Sequence, residues 1–186
     1  MIGNDNMRIC LYGAGSRNIK SKYIDDGYKL GEEIAKRGHK LVFGGGESGI
    51  MGAVSKAVLD NGGEILGIAP AWIDNFEALR KDCSEFIYTE TMDERKNKFI
   101  ENSDCFIIAP GGIGTLDEFF EAITLRALNR HDKKIVLFNS NNYYDKLIEA
   151  LEFMREEGVI RDNAKSVFKV CETVEETLNY LENDDE

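Results

Sequence analysis

Residues 110–118 combine a means of binding an anion with an acid that could take part in chemistry. They read Pro-Gly-Gly-Ile-Gly-Thr-Leu-Asp-Glu, after an apolar run at 105–109 that is typical of a buried strand and before a segment with helical apolar spacing. A glycine-rich turn between a strand and a helix leaves backbone N–H groups free at the helix N-terminus, where phosphate binds readily. Because the carboxylate of Glu118 follows this turn, the stretch predicts chemistry on a phosphorylated small molecule.

The same stretch has a simpler structural explanation. Thr115 and Glu118 have the spacing of a capping box, in which Glu118 would bond back to the backbone at Thr115. A cap does not require the three glycines that precede it. Moreover, the adjacent acids Asp117 and Glu118 would repel a phosphate unless one of them had another role. The local pattern favours function but leaves the helix cap open.

A second candidate lies in the segment Met92-Asp93-Glu94-Arg95-Lys96, which opens a predicted helix. Thr91 and Glu94 form a capping box by spacing, which accounts for Glu94 structurally. Arg95 and Lys96 place positive charge in the first helical turn, where it opposes the helix dipole, and a residue that breaks a local rule is a candidate for function. Arg95 could grip a phosphate or a carboxylate with its planar fork. The alternative is a solvated surface pair.

Two further glycine segments follow predicted strands. Residues 13–17 read Gly-Ala-Gly-Ser-Arg and could offer N–H groups, the Ser16 hydroxyl and a cation to a ligand, although a plain turn is equally compatible. Residues 44–49 formally match the dinucleotide fingerprint G-x-G-x-x-G, with Glu64 near the expected spacing. Glu64, however, begins a predicted strand, whereas a ribose-binding acid belongs at the end of one. A tight turn is therefore favoured over a dinucleotide oxidoreductase.

The elements that position these residues alternate along the chain. The predicted strands are residues 8–12, 40–43, 65–69, 85–88, 105–109, 134–138 and 167–170. The predicted helices are residues 23–37, 50–61, 93–102, 116–129, 143–157 and 174–183. This alternation predicts an α/β fold with a doubly wound parallel sheet and helices on both faces. Ligands of such sheets bind beyond the carboxyl ends of the strands, so the three glycine segments are expected to converge.

Composition limits the classes of partner. One domain is expected over residues 1–186, with tails at 1–6 and 182–186. The net charge of −11 argues against nucleic acid as the main partner. The four cysteines form no C-x-x-C pair and the two histidines have no ligand-like spacing, so no metal is expected. Neither a signal peptide nor a membrane-length apolar run is evident, so a cytoplasmic protein is expected.

Three motifs together resemble those of the LOG family, the cytokinin riboside 5'-monophosphate phosphoribohydrolases, which were long mislabelled as lysine decarboxylases. The family pattern G-G-G-x-x-G-x-M-G corresponds to residues 44–52, M-H-E-R-K to 92–96, and P-G-G-x-G-T-x-x-E to 110–118. Order and separations agree, and the resemblance runs from about Arg8 to the last strand. Three linked motifs are far more specific than one glycine loop.

The resemblance implies a Rossmann-like fold, usually a homodimer, and hydrolysis of the N-glycosidic bond of a nucleoside 5'-monophosphate to free base and ribose 5-phosphate. It implies that Arg95 and Glu118 are the catalytic pair. The expected phosphate ligands are Gly111, Gly112, Gly114 and Thr115. The further substrate contacts that it suggests are Gly13, Ser16, Gly45, Met92 and Lys96.

The chain departs from the family pattern at Asp93, where histidine is usual, and at residues 125–131, where tryptophan is common. Both departures leave the accepted base open. The hydrolysis requires neither a metal nor a cofactor. A decarboxylase would need a pyridoxal-binding lysine, and nothing singles one out. The alternative to an enzyme is a protein of the same fold that carries a nucleotide-like ligand or molybdenum cofactor without turnover.

Overall fold

The computed structural model describes residues 6–160 and 167–183, which form a parallel sheet with helices packed against it. The strands are β1 (Arg8–Tyr12), β2 (Lys40–Phe43), β3 (Ile65–Pro70), β4 (Glu85–Thr89), β5 (Cys105–Ile108), β6 (Lys134–Phe138) and β7 (Lys169–Cys171). The helices are α1 (Ser21–Lys36), α2 (Gly49–Asp60), α3 (Met92–Glu101), α4 (Ile113–Ala127), α5 (Asp145–Glu156) and α6 (Val174–Glu182). Most bounds differ from the predicted ones by one or two residues. The one larger shift is at the start of α4, which lies three residues earlier than predicted.

The strand order in the sheet is β4-β3-β2-β1-β5-β6-β7, and every neighbouring pair is parallel. The chain builds outward from β1 to β4 and then returns to place β5 on the other side of β1. The prediction of a doubly wound parallel sheet is therefore confirmed. The order reverses between β1 and β5, which is the position where sheets of this kind bind ligands.

Both faces of the central strands are buried. In β1, Ile9 and Leu11 point into one core with residues of α1, α2 and α6, while Cys10 and Tyr12 point into the other core with residues of α3 and α4. This alternation follows from the two-residue period of a strand. Because both faces are covered, the strands are continuous apolar runs in the sequence. Within the described ranges, no helix is long and apolar enough to cross a membrane.

The acidic C-terminal end differs from its prediction. A tail is expected from residue 182, but Glu182 ends α6 and lies 2.8 Å from Arg37 Nη1 and 2.9 Å from His39 Nε2. The buried residues Leu178 and Leu181 pack α6 onto the core, and this packing brings Glu182 to the two basic side chains. Residues 1–5 and 184–186 of the predicted tails lie outside the described ranges.

The loops that follow β1, β2 and β5 meet at the carboxyl edge of the sheet. Ala14 N–H donates to Pro110 O at 3.1 Å, and Ile50 N–H donates to Ala14 O at 2.8 Å. Gly49 makes this approach possible, because its φ is +63° and a β-carbon there would collide with the backbone of Ala14. The expected convergence of the three glycine segments is therefore confirmed.

Candidate active site

The N-terminus of α4 opens toward this meeting point. Gly112 is its N-cap, and the first four N–H groups of a helix have no partner within the helix. Gly112 and Gly114 are exposed, and a β-carbon built on either would meet nothing within 4 Å. Thr115 is buried, and its side chain packs where a β-carbon of Gly111 would lie. The four residues form an open turn with the geometry of an anion site.

The capping-box explanation for Thr115 and Glu118 is wrong. α4 begins at Ile113, so Thr115 is already the third helical residue, and Leu116 N–H donates to Gly112 O at 3.0 Å. The apolar spacing predicts a later start at residue 116, because the residues around Ile113 are glycines and show no apolar period. In the structure Ile113 is 85% exposed and does not belong to the buried face of the helix. Glu118 therefore lies in the second turn of the helix and does not cap it.

Arg95 and Glu118 are brought together from α3 and α4. Arg95 Nη2 lies 3.7 Å from Glu118 Oε1, and the two side chains are only 9% and 10% exposed. Arg95 is held from three sides: Nε donates to Ile68 O at 3.2 Å, Nη1 lies 3.9 Å from Met92 Sδ, and the guanidinium lies 5.2 Å from the centre of the Phe99 ring. The guanidinium is thus fixed before any ligand arrives.

Burial raises the pKa of Glu118 to about 7, and the neighbouring charge of Asp117 acts in the same direction. The guanidinium of Arg95 acts against this shift without overcoming it. A carboxyl group in this state exchanges its proton near neutral pH, which is the property that a catalytic acid or base needs. The raised pKa is a second reason, beside the geometry, to regard Glu118 as functional.

Lys96 explains why two acids stand side by side on α4. Its Nζ lies 3.3 Å from Asp117 Oδ2 and also contacts Glu121, so it joins α3 to α4. Asp117 is thereby paired with Lys96, while Glu118 faces Arg95. The hydrogen bond to Glu121 raises the pKa of Lys96. That shift favours the charged ammonium over the neutral amine that a Schiff base requires.

The loop after β1 contacts the loops after β2 and β5 at the same edge of the sheet. Gly13 is buried, and a β-carbon there would pack on Ala109 and Ile50. Ser16 is exposed, and its Oγ accepts a hydrogen bond from Asn18 N–H at 3.2 Å. The loop therefore brings backbone and one hydroxyl to the edge of the site.

The loop after β2 packs under Arg95. A guanidinium nitrogen of Arg95 occupies the space that a β-carbon of Gly44 would need. Gly45 has a φ of +80°, and its carbonyl accepts from Arg80 N–H at 2.8 Å. Glu64, the candidate ribose acid of a dinucleotide site, contacts Lys40 at the opposite edge of the sheet. The glycines thus serve a tight turn and a close approach, as the favoured interpretation predicts.

One acid at the site was not predicted from the sequence. Glu77 follows a short 3-10 helix (Ala71–Asn75), and its carboxylate lies between Gly15 and Gly46. Burial raises the pKa of Glu77, and the nearby charge of Arg95 lowers it. The sequence contained one indication of this acid, which is its position in a long connection after β3. Such a connection follows the carboxyl end of a strand and therefore lies at the ligand-binding edge of the sheet.

The site offers more for an anion than for a metal. In the part of the chain that the structure describes, the His, Cys, Asp and Glu side chains form no group of three that could hold a metal ion. The open N-terminus of α4 and the guanidinium of Arg95 provide donors and positive charge. A phosphate ester is the kind of ligand that this donor set suits.

The sequence comparisons identify the family. A family model described as "possible lysine decarboxylase" matches residues 51–181, and the chain belongs to this LOG-type family. It is 38% identical over 175 residues to cytokinin riboside 5'-monophosphate phosphoribohydrolase LOG4 of Arabidopsis thaliana, covering 94% of this chain and 81% of that protein. It is 35% identical to the enzyme LOG of rice, covering 94% and 72%. The predicted family is confirmed.

The fold has close counterparts among solved structures. The molybdenum cofactor (Moco) carrier protein of Chlamydomonas reinhardtii superposes with a TM-score of 0.71 at 20% identity, covering 94% of both chains. At this identity the likeness concerns the fold alone.

Proposed function

We propose that this protein hydrolyses the N-glycosidic bond of a nucleoside 5'-monophosphate, such as AMP or a cytokinin riboside monophosphate. Water adds its hydroxyl to C1' of the ribose and its proton to the leaving base, which gives free base and ribose 5-phosphate. The observation that carries this proposal is the buried pair Arg95–Glu118, with 3.7 Å between its nearest charged atoms, beside the open N-terminus of α4. The names of the LOG relatives support the same substrate class.

The proposed roles follow from the geometry. The turn formed by Gly111, Gly112, Gly114 and Thr115 binds the 5'-phosphate through backbone N–H groups. Glycosidic cleavage passes through a positively charged, oxocarbenium-like sugar. The Glu118 carboxylate stabilises that charge or orients the attacking water. A phosphate fixed away from the broken bond supplies binding energy that holds the ribose in reactive geometry.

Arg95 has two roles in this scheme. It keeps part of the Glu118 population ionised in a buried position, because its charge favours the carboxylate. It also presents a hydrogen-bond donor where negative charge develops on the departing base. Its bond to Ile68 O and its contact with Met92 hold the guanidinium in place for both tasks. Met92 therefore acts on the substrate through Arg95, which it positions.

Two other activities fit the site less well. A lysine decarboxylase needs a lysine that condenses with pyridoxal phosphate, whereas Lys96 is engaged by Asp117 and Glu121. A carrier of molybdenum cofactor or another nucleotide-like ligand needs the anion-binding turn but no paired acid and guanidinium. The buried Arg95–Glu118 pair therefore favours an enzyme over a carrier.

The experiment that tests the proposal is a substrate panel with separation of the products by chromatography. The purified protein is incubated with AMP, a cytokinin riboside monophosphate and other nucleoside monophosphates, and with adenosine as the unphosphorylated control. We expect free base from at least one monophosphate and little from adenosine. Glu118→Gln should lower the rate by roughly 100- to 10,000-fold, whereas Glu85→Gln, an exposed change at the far edge of the sheet, should not. Binding of a monophosphate without base release would refute hydrolysis and favour a carrier.

A further inference from the structure

The loop between β6 and α5 sends two tyrosine hydroxyls to the segment that connects β5 with α4. Tyr143 Oη donates a hydrogen bond to Gly111 O at 2.8 Å. The adjacent Tyr144 Oη donates to Ala109 O at 2.6 Å. The loop therefore holds the backbone of this connection at two carbonyl groups, one at the end of β5 and one inside the glycine turn.

The contact with Gly111 sets the direction of a donor on the next residue. The carbonyl of Gly111 and the N–H of Gly112 belong to one peptide group, and the peptide bonds of the described chain are trans. In a trans peptide group the carbonyl and the N–H point in opposite directions. Tyr143 fixes the carbonyl on one side, so the N–H of Gly112 is directed to the other. Gly112 is the N-cap of α4, and its N–H is among the four that a helix leaves without a helical partner.

This peptide group needs an external contact because glycine stands on both sides of it. Glycine has no β-carbon and accepts many backbone conformations, so a Gly–Gly peptide group can rotate at little steric cost. A β-carbon built on Gly112 would meet no atom within 4 Å, which shows that packing does not hold this residue. The hydroxyl of Tyr143 therefore selects one orientation of a group that is otherwise free to turn.

Tyr143 is itself held in a defined position. Its ring lies edge-on to Tyr23 of α1, with 5.2 Å between ring centres, and edge-on to Tyr144, with 4.8 Å. The two residues before it, Asn141 and Asn142, have φ of +53° and +58°, in the left-handed region that few non-glycine residues adopt. Asn141 Nδ2 also donates to an aspartate of α1 at 2.6 Å. A fold retains such conformations where other contacts determine them, so this loop presents Tyr143 at one place.

We propose that Tyr143 is a positioning residue for the substrate phosphate, because its hydroxyl turns the N–H of Gly112 toward the place where that phosphate binds. This inference rests on the proposed function, which assigns the 5'-phosphate to the turn at residues 111–115. Burial raises the pKa of Tyr143, so the hydroxyl keeps its proton and remains a donor near neutral pH. Tyr143 therefore acts on the binding of the phosphate and not on proton transfer.

Tyr144 offers a matched control, because its hydroxyl makes a similar bond that cannot direct a donor. Its acceptor is Ala109 O, and the next residue is Pro110, which has no N–H. Tyr144 is 3% exposed, whereas Tyr143 is 36% exposed. Tyr144→Phe removes the more deeply buried hydrogen bond and should lower the urea midpoint of unfolding more than Tyr143→Phe does. A larger loss of stability in Tyr143→Phe would indicate a structural role and would overturn the proposal.

The direct test follows the Gly112 amide by proton–nitrogen NMR while inorganic phosphate is added. In the wild type and in Tyr144→Phe we expect this amide proton to move downfield, as an N–H does when it donates to an anion. In Tyr143→Phe the movement should be smaller and the Kd for phosphate should rise roughly 5- to 30-fold, as for a weakened hydrogen bond to a charged group. An unchanged response in Tyr143→Phe, or no response of Gly112 in the wild type, would overturn the proposal.

Steady-state kinetics with a nucleoside monophosphate gives a second readout. We expect Tyr143→Phe to raise KM roughly 5- to 30-fold and to leave kcat within about threefold, because the weakened contact serves binding and not the bond that breaks. Tyr144→Phe should change KM by less than about twofold. A fall in kcat of Tyr143→Phe with an unchanged KM, or equal effects of the two variants, would overturn the proposal.

The NMR titration keeps this inference distinct from the hydrolase proposal, because it requires no turnover. A weakened phosphate response in Tyr143→Phe but not in Tyr144→Phe would support the inference even if no monophosphate were hydrolysed. Conversely, hydrolysis by Tyr143→Phe with the KM of the wild type would overturn the inference and leave the hydrolase proposal intact.

Discussion

Replacing Glu118 by glutamine is expected to make the protein more stable than the wild type in mildly alkaline solution. The carboxyl group is buried, and its pKa is raised from 4.5 to about 7. The folded state therefore binds this proton more tightly than the unfolded chain does. The contribution to stability is complete below pH 4.5 and is lost as the pH rises through about 7. Glutamine resembles the neutral acid and does not titrate, so the variant does not suffer this loss.

The size of the effect follows from the shift. A rise from 4.5 to about 7 corresponds to about 3 kcal/mol, at about 1.4 kcal/mol for each unit. The protein is acidic, with a pI near 4.8, so the lower part of that window is difficult to study. Between about pH 5.5 and about pH 8.5, roughly 2 kcal/mol of the difference between variant and wild type should develop.

The assay is urea unfolding of the wild type, Glu118→Gln and the control Glu85→Gln at several pH values. The free energy of unfolding of Glu118→Gln minus that of the wild type should grow with pH up to about 7 and level off above it, where the folded wild type has released the proton. Glu85→Gln removes a carboxylate at an exposed position and should show no such growth. A Glu118→Gln difference that stayed constant within about 0.5 kcal/mol would refute the argument that burial outweighs Arg95 at Glu118.

Three further predictions concern other parts of the molecule. Arg95→Lys should lower kcat/KM for base release roughly 100-fold, because an ammonium cannot make the several directed contacts of the planar guanidinium. Circular dichroism should show that the fold persists, and an unchanged rate would contradict the assigned role. Gly111→Ala should lower the free energy of unfolding by about 1–3 kcal/mol, because the new methyl group collides with Thr115. The methyl group of Gly114→Ala meets no atom, so this control should not lower the free energy of unfolding. Equal effects of the two substitutions in urea unfolding would contradict this packing. The homodimer remains a prediction: light scattering after gel filtration should give twice the 20.9 kDa mass of the chain, and the mass of one chain would contradict it.

The fold was largely predictable from the sequence because its central strands are buried on both faces. Apolar runs such as residues 134–138 match strand bounds directly, since no solvent-facing residue interrupts them. The capping pair Thr91 and Glu94 was equally visible, and Glu94 N–H donates to Thr91 Oγ1 at 3.1 Å. Both features depend on neighbours in the chain, which is the information that local patterns contain.

The remaining features depend on contacts between distant segments. Glu77 is half-buried, with its carboxylate between glycines at positions 15 and 46, so nothing within its own segment indicates its place in the site. Lys96 pairs with Asp117 across two helices, which local spacing cannot reveal. The start of α4 was misplaced because glycines and an exposed isoleucine remove the apolar period from its first turn. The site is therefore difficult to predict from the sequence, because it is built on glycine-rich turns whose residues carry little side-chain information.

We propose that the Arg95–Glu118 pair cleaves the glycosidic bond of a nucleoside monophosphate. The most direct measurement is the product balance for AMP or a cytokinin riboside monophosphate, with base, ribose 5-phosphate, nucleoside and inorganic phosphate quantified together. We predict base and ribose 5-phosphate in equal amounts from at least one of these substrates, without nucleoside or phosphate, and loss of both products in Glu118→Gln. Intact substrates after incubation with the wild type, or equal product formation by Glu118→Gln, would contradict the claim.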